Sequence, residues 1–286
     1  MMIYKVTKIV AGIYTLQNNQ GETLNIPAAG KLRYQNQTPI VGDNVLVENN
    51  QLKEILERKN EFIRPKVANI DQMIVVMSVK DPQFQFFLVD KYLAIIEFKK
   101  IKPIIFLTKT DLDPEYSREI YEYYSNMGYK VFLIDNLKPS SYINEVKQIF
   151  KDKYSVFMGQ SGVGKTTTIN NLGQFSFDTQ EISKALGRGK HTTRVVSIIP
   201  FNDGYVIDTP GFSSLNLDLT PVELAQSFET FYELSKLCKF RNCLHINEKD
   251  QDCAIKHQIN TKLVPLKRYE NYVKLNQEIN ENKRGF

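Results

Sequence analysis

The chain has 286 residues, of which 42% are hydrophobic and 24% are charged, and its formal net charge at pH 7 is +5. This composition predicts a folded protein of two or three domains with a sizeable core, and it excludes a low-complexity or disordered chain. The charge is spread evenly, at +2 over residues 1–65, +2 over 66–217 and +1 over 218–286, which excludes a basic tail. The longest apolar runs are too short to cross a bilayer and no export signal is found, so we expect a cytoplasmic protein without a membrane partner.

Residues 1–65 show the pattern of short β-strands separated by turns. The candidate strands are Ile3–Val10, Ile13–Leu16, Glu22–Ile26 and Val45–Val47, with turn sequences at 19–21 and 42–44. About five strands in so short a segment suit a small barrel. We therefore predict an OB-fold RNA-binding domain, although the pattern alone does not separate it from an SH3-like barrel.

Residues 66–217 alternate apolar strands with helical stretches. The candidate strands are Gln72–Val79, Ile101–Leu107, Lys130–Ile134, Tyr154–Met158, Val195–Pro200 and Tyr205–Ile207. Apolar runs without polar alternation are typical of strands covered on both faces, so the pattern predicts a doubly wound α/β domain with a mainly parallel sheet. Between the second and third strands, Asp113 as N-cap, Pro114 at the first helical position and Gly128 as terminator predict a helix.

The second of these strands leads into Thr108-Lys109-Thr110-Asp111. This tetrapeptide has the form with which a GTPase presents its guanine-reading loop, usually Asn-Lys-x-Asp, although taken alone it also fits an ordinary turn. The two carboxylate oxygens of Asp111 can accept hydrogen bonds from the N1–H and the 2-amino group of guanine, a donor pair that adenine lacks. Lys109 would lie along the base.

A phosphate-binding loop follows later in the chain, as Gly159-Gln160-Ser161-Gly162-Val163-Gly164-Lys165-Thr166-Thr167. It lies between a predicted strand and a predicted helix, and its glycines let backbone N–H groups turn inward around the β-phosphate. Lys165 would bridge the β- and γ-phosphates, and the Thr166 hydroxyl would bind Mg²⁺. A glycine-rich turn without a ligand is the alternative, and the strand and helix on its two sides argue against it.

Asp208-Thr209-Pro210-Gly211 comes directly after the last predicted strand and is typical of the second nucleotide switch. Asp208 could hold Mg²⁺ through water, and the Gly211 N–H could meet the γ-phosphate. Before this switch lies the glycine–basic segment GRGKHTTR (187–194), in which either Thr192 or Thr193 could complete the Mg²⁺ shell. The predicted magnesium residues are Thr166, Thr193 and Asp208, with Thr192 as the alternative to Thr193.

The order of these motifs decides how the tetrapeptide is interpreted. It precedes the phosphate loop, and no Asn/Thr-Lys-x-Asp sequence follows Gly211. We therefore predict a circularly permuted P-loop GTPase domain that takes GTP with Mg²⁺ and yields GDP. The predicted GTP-binding residues are Thr108, Lys109, Thr110, Asp111, Gly159, Gln160, Ser161, Gly162, Val163, Gly164, Lys165, Thr166, Thr167 and Gly211. The loop that flanks the base from the other side is not assigned, and residues 135–140 are only a candidate.

Residues 218–286 predict a helical zinc-binding domain. The sequence at 220–223 is a capping box that starts an amphipathic helix, and a polar helix is expected over residues 266–280. The amphipathic helix would carry Leu224, Phe228, Phe231 and Leu234. Three cysteines are an odd number, which argues against a disulfide framework. Cys238, Cys243, His245 and Cys253 supply enough ligands for one closed, structural zinc site, with His257 as the competitor of His245.

The combined motifs resemble the ribosome small subunit-dependent GTPases of the RsgA (YjeQ/YloQ) type, over nearly the whole chain. VGDNV (41–45) is similar to the OB-domain signature of that family, and the phosphate loop, GRGKHTTR and DTPGF (208–212) are similar to its permuted GTPase motifs. The cysteine–histidine cluster matches as well. The resemblance implies a monomeric GTP hydrolase that binds 16S rRNA, acts on the 30S subunit late in assembly and is stimulated by it. Thr108 stands where the usual residue is Asn, which predicts weaker base affinity with guanine choice retained.

The residue that orients the attacking water is predicted separately. Many GTPases place a glutamine directly after the DxxG switch for this purpose, and here that position is Phe212. The nearest replacement is His191 in GRGKHTTR, which matches the histidine of the family. We predict that His191 positions water once the ribosome orders this segment, so that the isolated protein turns over slowly. An rRNA contact or a plain surface histidine is the alternative.

Three functions compete on the sequence alone. The leading hypothesis is an assembly factor whose barrel and zinc domain bind rRNA while the GTPase acts as a timer. A signalling or membrane-associated switch is the second, and the absence of lipidation motifs argues against it. The third is a nucleic-acid-binding zinc protein whose nucleotide site is only structural.

Overall fold

The computed structural model describes residues 2–27, 38–63, 65–173, 196–208 and 217–284. The chain forms two compact units, each assembled from three separated segments. Unit 1 comprises Met1–Met73, Pro139–Met158 and Lys165–Ser213, and unit 2 comprises Ile74–Lys138, Gly159–Gly164 and Ser214–Phe286. The domain boundaries predicted after residues 65 and 217 were placed between sequence motifs, and they stay a prediction.

Unit 1 begins with a five-stranded antiparallel barrel of the OB type. Its strands are β1 (Met2–Val10), β2 (Ile13–Gln17), β3 (Thr23–Pro27), β4 (Asn44–Glu48) and β5 (Gln51–Ile55). β1 pairs with β2 and β4, β2 pairs with β3, and β4 pairs with β5. The barrel core consists of Tyr4, Val6, Tyr14, Leu16, Ile26, Val45, Val47 and Leu52. Four strands were predicted, and β5 was missed because it buries only Leu52 and lacks a clear alternation.

The remaining elements follow in chain order. The strands are β6 (Glu61–Ile63), β7 (Lys66–Ala68), β8 (Gln72–Ser78), β9 (Lys102–Thr108), β10 (Lys130–Ile134), β11 (Tyr154–Met158), β12 (Ser197–Phe201) and β13 (Gly204–Asp208). The helices are α1 (Phe86–Phe98), α2 (Pro114–Asn126), α3 (Ile143–Lys147), α4 (Lys165–Leu172), α5 (Pro221–Ala225), α6 (Glu229–Ser235), α7 (Ala254–His257) and α8 (Leu266–Arg284). Among the described helices, none combines the length and the apolar character that a membrane span requires.

In the rest of unit 1, β11 lies parallel to β13, whereas β12 and β13 form an antiparallel hairpin. β12 also pairs with the barrel strand β1 through Lys8 and Ser197. The predicted strands at these positions are confirmed. The hairpin brings the chain to Asp208, where the predicted second switch begins.

In unit 2, β9 lies between β8 and β10. β9 and β10 are parallel and in register, with Ile134 opposite Thr108. The Val79 N–H donates to the Thr108 carbonyl at 3.1 Å, so β8 and β9 also end side by side. Every residue of β8 is buried, as expected for a strand covered on both faces. The loops that follow these three strands therefore share one edge of the unit 2 sheet.

Helix α2 begins as the sequence predicts. Asp113 is the N-cap and accepts a hydrogen bond from the Tyr116 N–H at 3.1 Å, and Pro114 is the first helical residue. Gly128, with φ of 90°, follows the end of the helix. This start fixes where the loop after β9 stops.

The amphipathic helix predicted from the capping box onward is wrong, because the chain forms two shorter helices, α5 and α6. The capping box at Thr220 and Glu223 is confirmed. Helix α5 nevertheless ends at Ala225, where the Ser227 hydroxyl donates to the Leu224 carbonyl at 2.9 Å and so competes with helical pairing. Phe228 then has extended backbone, with φ of −71° and ψ of 134°.

Helix α1 carries a buried carboxylate, Asp90, whose partners lie on two other helices of unit 2. Arg268 of α8 places Nη2 3.2 Å from it, Asn271 of α8 donates to it at 2.7 Å, and the Tyr124 hydroxyl of α2 donates at 3.2 Å. Burial raises the pKa of Asp90 above its ordinary value, and the charge of Arg268 opposes that shift. One buried charge network thus joins α1, α2 and α8.

Candidate nucleotide and metal sites

Gly159, Gly162 and Gly164 of the phosphate loop all have positive φ, and at Gly159 and Gly164 neighbouring residues also lie close. Gly159 has φ of 149°, and a Cβ there would lie 2.3 Å from the Val76 carbonyl oxygen of β8. Gly164 has φ of 84°, and a Cβ there would lie 3.2 Å from Nδ2 of Asn136. Both positive φ values disfavour any residue with a side chain. The backbone of this loop therefore runs close against Val76 of β8 and Asn136 after β10, and at Gly159 a Cβ would collide with backbone.

The chain on either side of the loop matches the predicted context. β11 ends one residue before Gly159, and α4 begins at Lys165, directly after Gly164. The first turn of α4 contains the predicted residues Lys165, Thr166 and Thr167. A helix start directly after a glycine loop offers unpaired N–H groups and a favourable dipole to an anion. This arrangement suits the phosphates of a nucleotide.

Thr108 connects the predicted guanine-reading loop to the phosphate loop within unit 2. It is fully buried at the end of β9, and its hydroxyl oxygen lies 2.5 Å from the Val163 carbonyl and 3.2 Å from the Met77 carbonyl. A hydroxyl has one proton to donate, and the shorter distance assigns it to Val163. A residue of the predicted base-reading tetrapeptide thus holds the backbone of the phosphate loop.

Replacing Thr108 with valine removes this donor while keeping the shape of the side chain. We expect about tenfold weaker binding of both GTP and GDP, because the buried Val163 carbonyl would lose its partner. Preference for guanine over adenine nucleotides should be retained, since Asp111 is untouched. Fluorescent-nucleotide titration measures both properties, and Thr108→Ser should restore most of the affinity. Wild-type affinity in the valine variant would contradict a role for this hydrogen bond.

Asp111 is placed to receive a ligand. It lies in a single 3₁₀ turn, Thr110–Leu112, and its side chain is exposed. Among the residues that the structure describes, its carboxylate has no hydrogen-bond or ion-pair partner. Lys109, in the left-handed region with φ of 55°, donates through Nζ to the Asp81 carbonyl. The lysine is thereby held beside the segment that follows β8, while the carboxylate stays available.

Two further segments at this edge were not assigned from the sequence. Pro82, after β8, would be 3.9 Å from a Cβ at Gly162, and Asn136, after β10, approaches Gly164 as described above. The turn after β10 is closed by the Asp135 side chain, which accepts from the Leu137 N–H at 2.9 Å. Asn136 falls inside the candidate range 135–140. The Asp-Pro sequence at the end of β8 signals a turn, but nothing local shows which loop it contacts.

Several predicted site residues lie outside the described residues. These are His191, Thr192, Thr193 and Gly211. Asp208 is described only in its backbone, as the last residue of β13. The assignments of these residues to magnesium, the γ-phosphate and the attacking water stay predictions.

The four predicted zinc ligands come together in unit 2. One ligand atom from each of Cys238, Cys243, His245 and Cys253 lies within 4.8 Å of the others. Nδ1 of His245 is 3.4 Å from Sγ of Cys253 and 3.8 Å from Sγ of Cys238. Zinc bonds of about 2.3 Å to sulfur and about 2.0 Å to nitrogen separate tetrahedral ligand atoms by about 3.5–3.8 Å. The four side chains therefore fit one zinc ion.

The surroundings of His245 select the nitrogen that faces the cysteines. Its Nε2 lies 3.2 Å from the Ala225 carbonyl of α5, to which an Nε2–H can donate, leaving the Nδ1 lone pair for a metal. The Tyr269 hydroxyl donates to the His245 carbonyl at 2.7 Å, and the Glu248 carboxylate accepts from the Leu244 and Ile246 N–H groups at 2.6 and 2.9 Å. The ligand-bearing backbone is thus held by partners on both sides.

Electrostatics favour a cation in this cluster. Burial raises the pKa of the Cys243 thiol far above its usual range, and burial also raises that of Cys253. Burial lowers the pKa of His245, which favours the neutral imidazole that a metal requires. Zinc would supply the positive charge that buried thiolates need. His257, at the end of α7, is not part of the cluster, so the geometry favours the predicted ligand His245.

Comparison with known proteins adds an independent observation. The family described as RsgA GTPase matches residues 55–218. A small ribosomal subunit biogenesis GTPase RsgA from Mycoplasmopsis agalactiae is 47% identical over 282 residues, covering 98% of this chain and 99% of the relative. The protein of the same name from Enterococcus faecalis is 42% identical, covering 99% of this chain and 98% of the relative.

Solved structures with the same architecture include two similar proteins. YloQ, described as a circularly permuted GTPase, superposes with a TM-score of 0.80 at 35% identity, covering 99% of this chain and 96% of its own. YjeQ from Thermotoga maritima superposes with a TM-score of 0.82 at 30% identity, covering 97% of this chain and 98% of its own. The similarity extends over the whole length of both.

Proposed function

This chain belongs to the RsgA GTPase family and hydrolyses GTP, and from that premise we propose that it acts late in the biogenesis of the 30S ribosomal subunit. It binds the 16S rRNA of the maturing subunit as a monomer in the cytoplasm, and the subunit stimulates its turnover. The observation that carries the nucleotide part is the 2.5 Å contact from Thr108 to Val163. It supports one nucleotide site built from two loops in permuted chain order.

GTP binding follows from the two loops. The backbone N–H groups of Gly159–Gly164 and the first turn of α4 cradle the phosphates, and Lys165 neutralises charge on the β- and γ-phosphates. Asp111 accepts from the N1–H and the 2-amino group of guanine. Thr166, Thr193 or Thr192, and Asp208 would hold Mg²⁺, which neutralises charge on the phosphate oxygens when bound. Gly211 would meet the γ-phosphate through its backbone N–H.

Thr108 does not have the role expected of the usual Asn, which is to contact the base. Because its hydroxyl is engaged with Val163, Thr108 acts on the nucleotide through the position of the phosphate loop. Asp111 then carries the discrimination of the base.

Hydrolysis requires a group that orients water, and His191 is the proposed one. Replacing His191 with alanine should lower 30S-stimulated turnover about a hundredfold, as is typical when a water-positioning group is lost. The affinities for GTP and for the subunit should change little. His257→Ala is the matched control. If the His191 variant kept the full 30S-stimulated turnover, the assignment of His191 as the water-orienting residue would be wrong.

The ribosomal role has its own experiment. Sedimentation with purified 30S subunits should carry the protein down with a non-hydrolysable GTP analogue and much less with GDP. Turnover should rise when subunits are added. Equal sedimentation in both nucleotide states would contradict a GTP-gated interaction with the subunit, while turnover indifferent to subunits would contradict stimulation.

A further inference from the structure

The exposed surface around the zinc cluster combines aromatic and basic side chains. Between the ligands Cys238 and Cys243 lie four exposed residues, Lys239, Phe240, Arg241 and Asn242, which we call the zinc loop. Phe240 is 49% exposed, although it is three residues from the buried ligand Cys243. Leu237, just before the loop, is 76% exposed. Large apolar side chains at the tip of a metal-held loop suggest a surface that contacts a partner.

The charges around this loop are mainly positive. No acidic residue occurs from Lys236 to Asn242, whereas three cations do. Lys236 pairs with Glu233 at 2.7 Å, and Lys239 pairs with Asp252 at 3.0 Å. Within the described part of the chain, Arg241 has no ion-pair partner. The loop therefore presents one uncompensated guanidinium beside the exposed ring of Phe240.

A second aromatic ring with cations lies on the preceding helix. Tyr232 of α6 is 39% exposed. Lys100 and Lys236 place their Nζ atoms 4.7 and 4.5 Å from the centre of its ring. A ring flanked by ammonium groups is suited to phosphates around a stacked base and unsuited to a second cationic partner.

The loop is held in one conformation. The Lys239 N–H donates to the Asp252 carbonyl at 3.0 Å, and the Cys243 N–H donates to the Phe240 carbonyl at 3.2 Å. The Ala254 N–H donates to Sγ of Cys238 at 3.3 Å. Zinc held by Cys238 and Cys243 would also fix both ends of the loop, so that little conformational entropy would be lost when a ligand binds.

We propose that the zinc loop binds single-stranded RNA, with a base stacked on Phe240 and a phosphate on Arg241. This inference rests on the proposed function, since it names which surface of the zinc domain contacts rRNA. The unpaired guanidinium of Arg241 favours an anionic ligand, and the exposed ring of Phe240 supplies the stacking platform that unpaired bases use. Regular duplex RNA offers no unstacked base to this ring.

The experiment uses the full-length, zinc-loaded protein. Fluorescence anisotropy with a single-stranded RNA decamer is measured for wild type, Phe240→Ala, Phe240→Tyr and Arg241→Gln, with Tyr121→Ala as a control because that ring is 38% exposed on α2. We expect about tenfold weaker binding for Phe240→Ala, and wild-type binding for Phe240→Tyr and for the control. For Arg241→Gln, the slope of log affinity against log salt concentration should fall by the amount that corresponds to about one phosphate contact. Zinc content and unfolding temperature check the fold of each variant.

Position is tested separately, because the barrel also can bind RNA. A decamer containing 4-thiouridine is cross-linked by light, and the modified residues are located by mass spectrometry. Attachment within residues 237–242 of the wild-type protein is expected. Absence of attachment there, or unchanged decamer binding by both loop variants, would overturn the proposal. So would Phe240→Ala weakening 30S binding but not decamer binding, because the loop would then contact a ribosomal protein. Loop-dependent decamer binding without any 30S binding would instead remove the proposed function and leave the RNA surface standing.

Discussion

An Asp111→Asn variant is expected to bind GTP at least about a hundredfold more weakly and to prefer xanthosine triphosphate. In the proposed site the carboxylate accepts two hydrogen bonds from guanine, at N1–H and at the 2-amino group. An asparagine amide keeps one acceptor but turns an N–H donor toward the 2-amino group. Xanthine has a carbonyl at that position, so the amide pairs with it in full.

The measurement is a competition titration of GTP, ATP and xanthosine triphosphate against one fluorescent nucleotide. Asp113→Asn is a close control, since it makes the same chemical change two residues away. Asp113 pairs with Lys80 at 2.9 Å and caps α2, so the variant should lose some stability while keeping its choice of base. An Asp111 variant that still preferred GTP would show that this carboxylate does not face the purine, and the nucleotide assignment would fail with it.

Replacing His245 with alanine is expected to abolish stoichiometric zinc binding and to lower the unfolding temperature by about 10 °C. Three thiolates remain, but the fourth ligand and the bond from Nε2 to the Ala225 carbonyl are both lost. We expect the stability of the segments around the cluster to depend on the metal, because buried thiolates require a positive charge beside them. The rate of GTP turnover measured without 30S subunits should stay close to that of the wild type at temperatures where the variant is folded.

Zinc content by mass spectrometry under native conditions and thermal unfolding by calorimetry test this expectation. His257→Ala is the matched control and should retain one zinc ion per chain. A chelator should lower the unfolding temperature of the wild type toward that of the His245 variant and leave the variant unchanged. Zinc retained by His245→Ala and lost by His257→Ala would reverse the ligand assignment.

The parts of the fold and site that the sequence predicted are those set by local chemistry. The phosphate loop requires glycine at 159 and 164 because of backbone conformation, and the cap at Asp113 is a contact with a residue three positions away. Two of the failures are non-local. The contact from Thr108 joins residues 55 positions apart, and Asn136 meets Gly164 across a loop whose sequence carries no motif. The break between α5 and α6 was missed because Phe228 and Phe231 keep helical spacing even though the backbone between the helices is extended.

The carboxylate of Asp90 limits how this protein can be dissected. A recombinant fragment that stops at residue 217 would delete Arg268 and Asn271, which are the charge partner and the amide donor of this buried carboxylate. Replacing residues 218–286 with an unrelated domain would also leave Asp90 without these partners, unless Asp90 were substituted as well. Helices α1 and α8 therefore depend on each other for the pairing of Asp90.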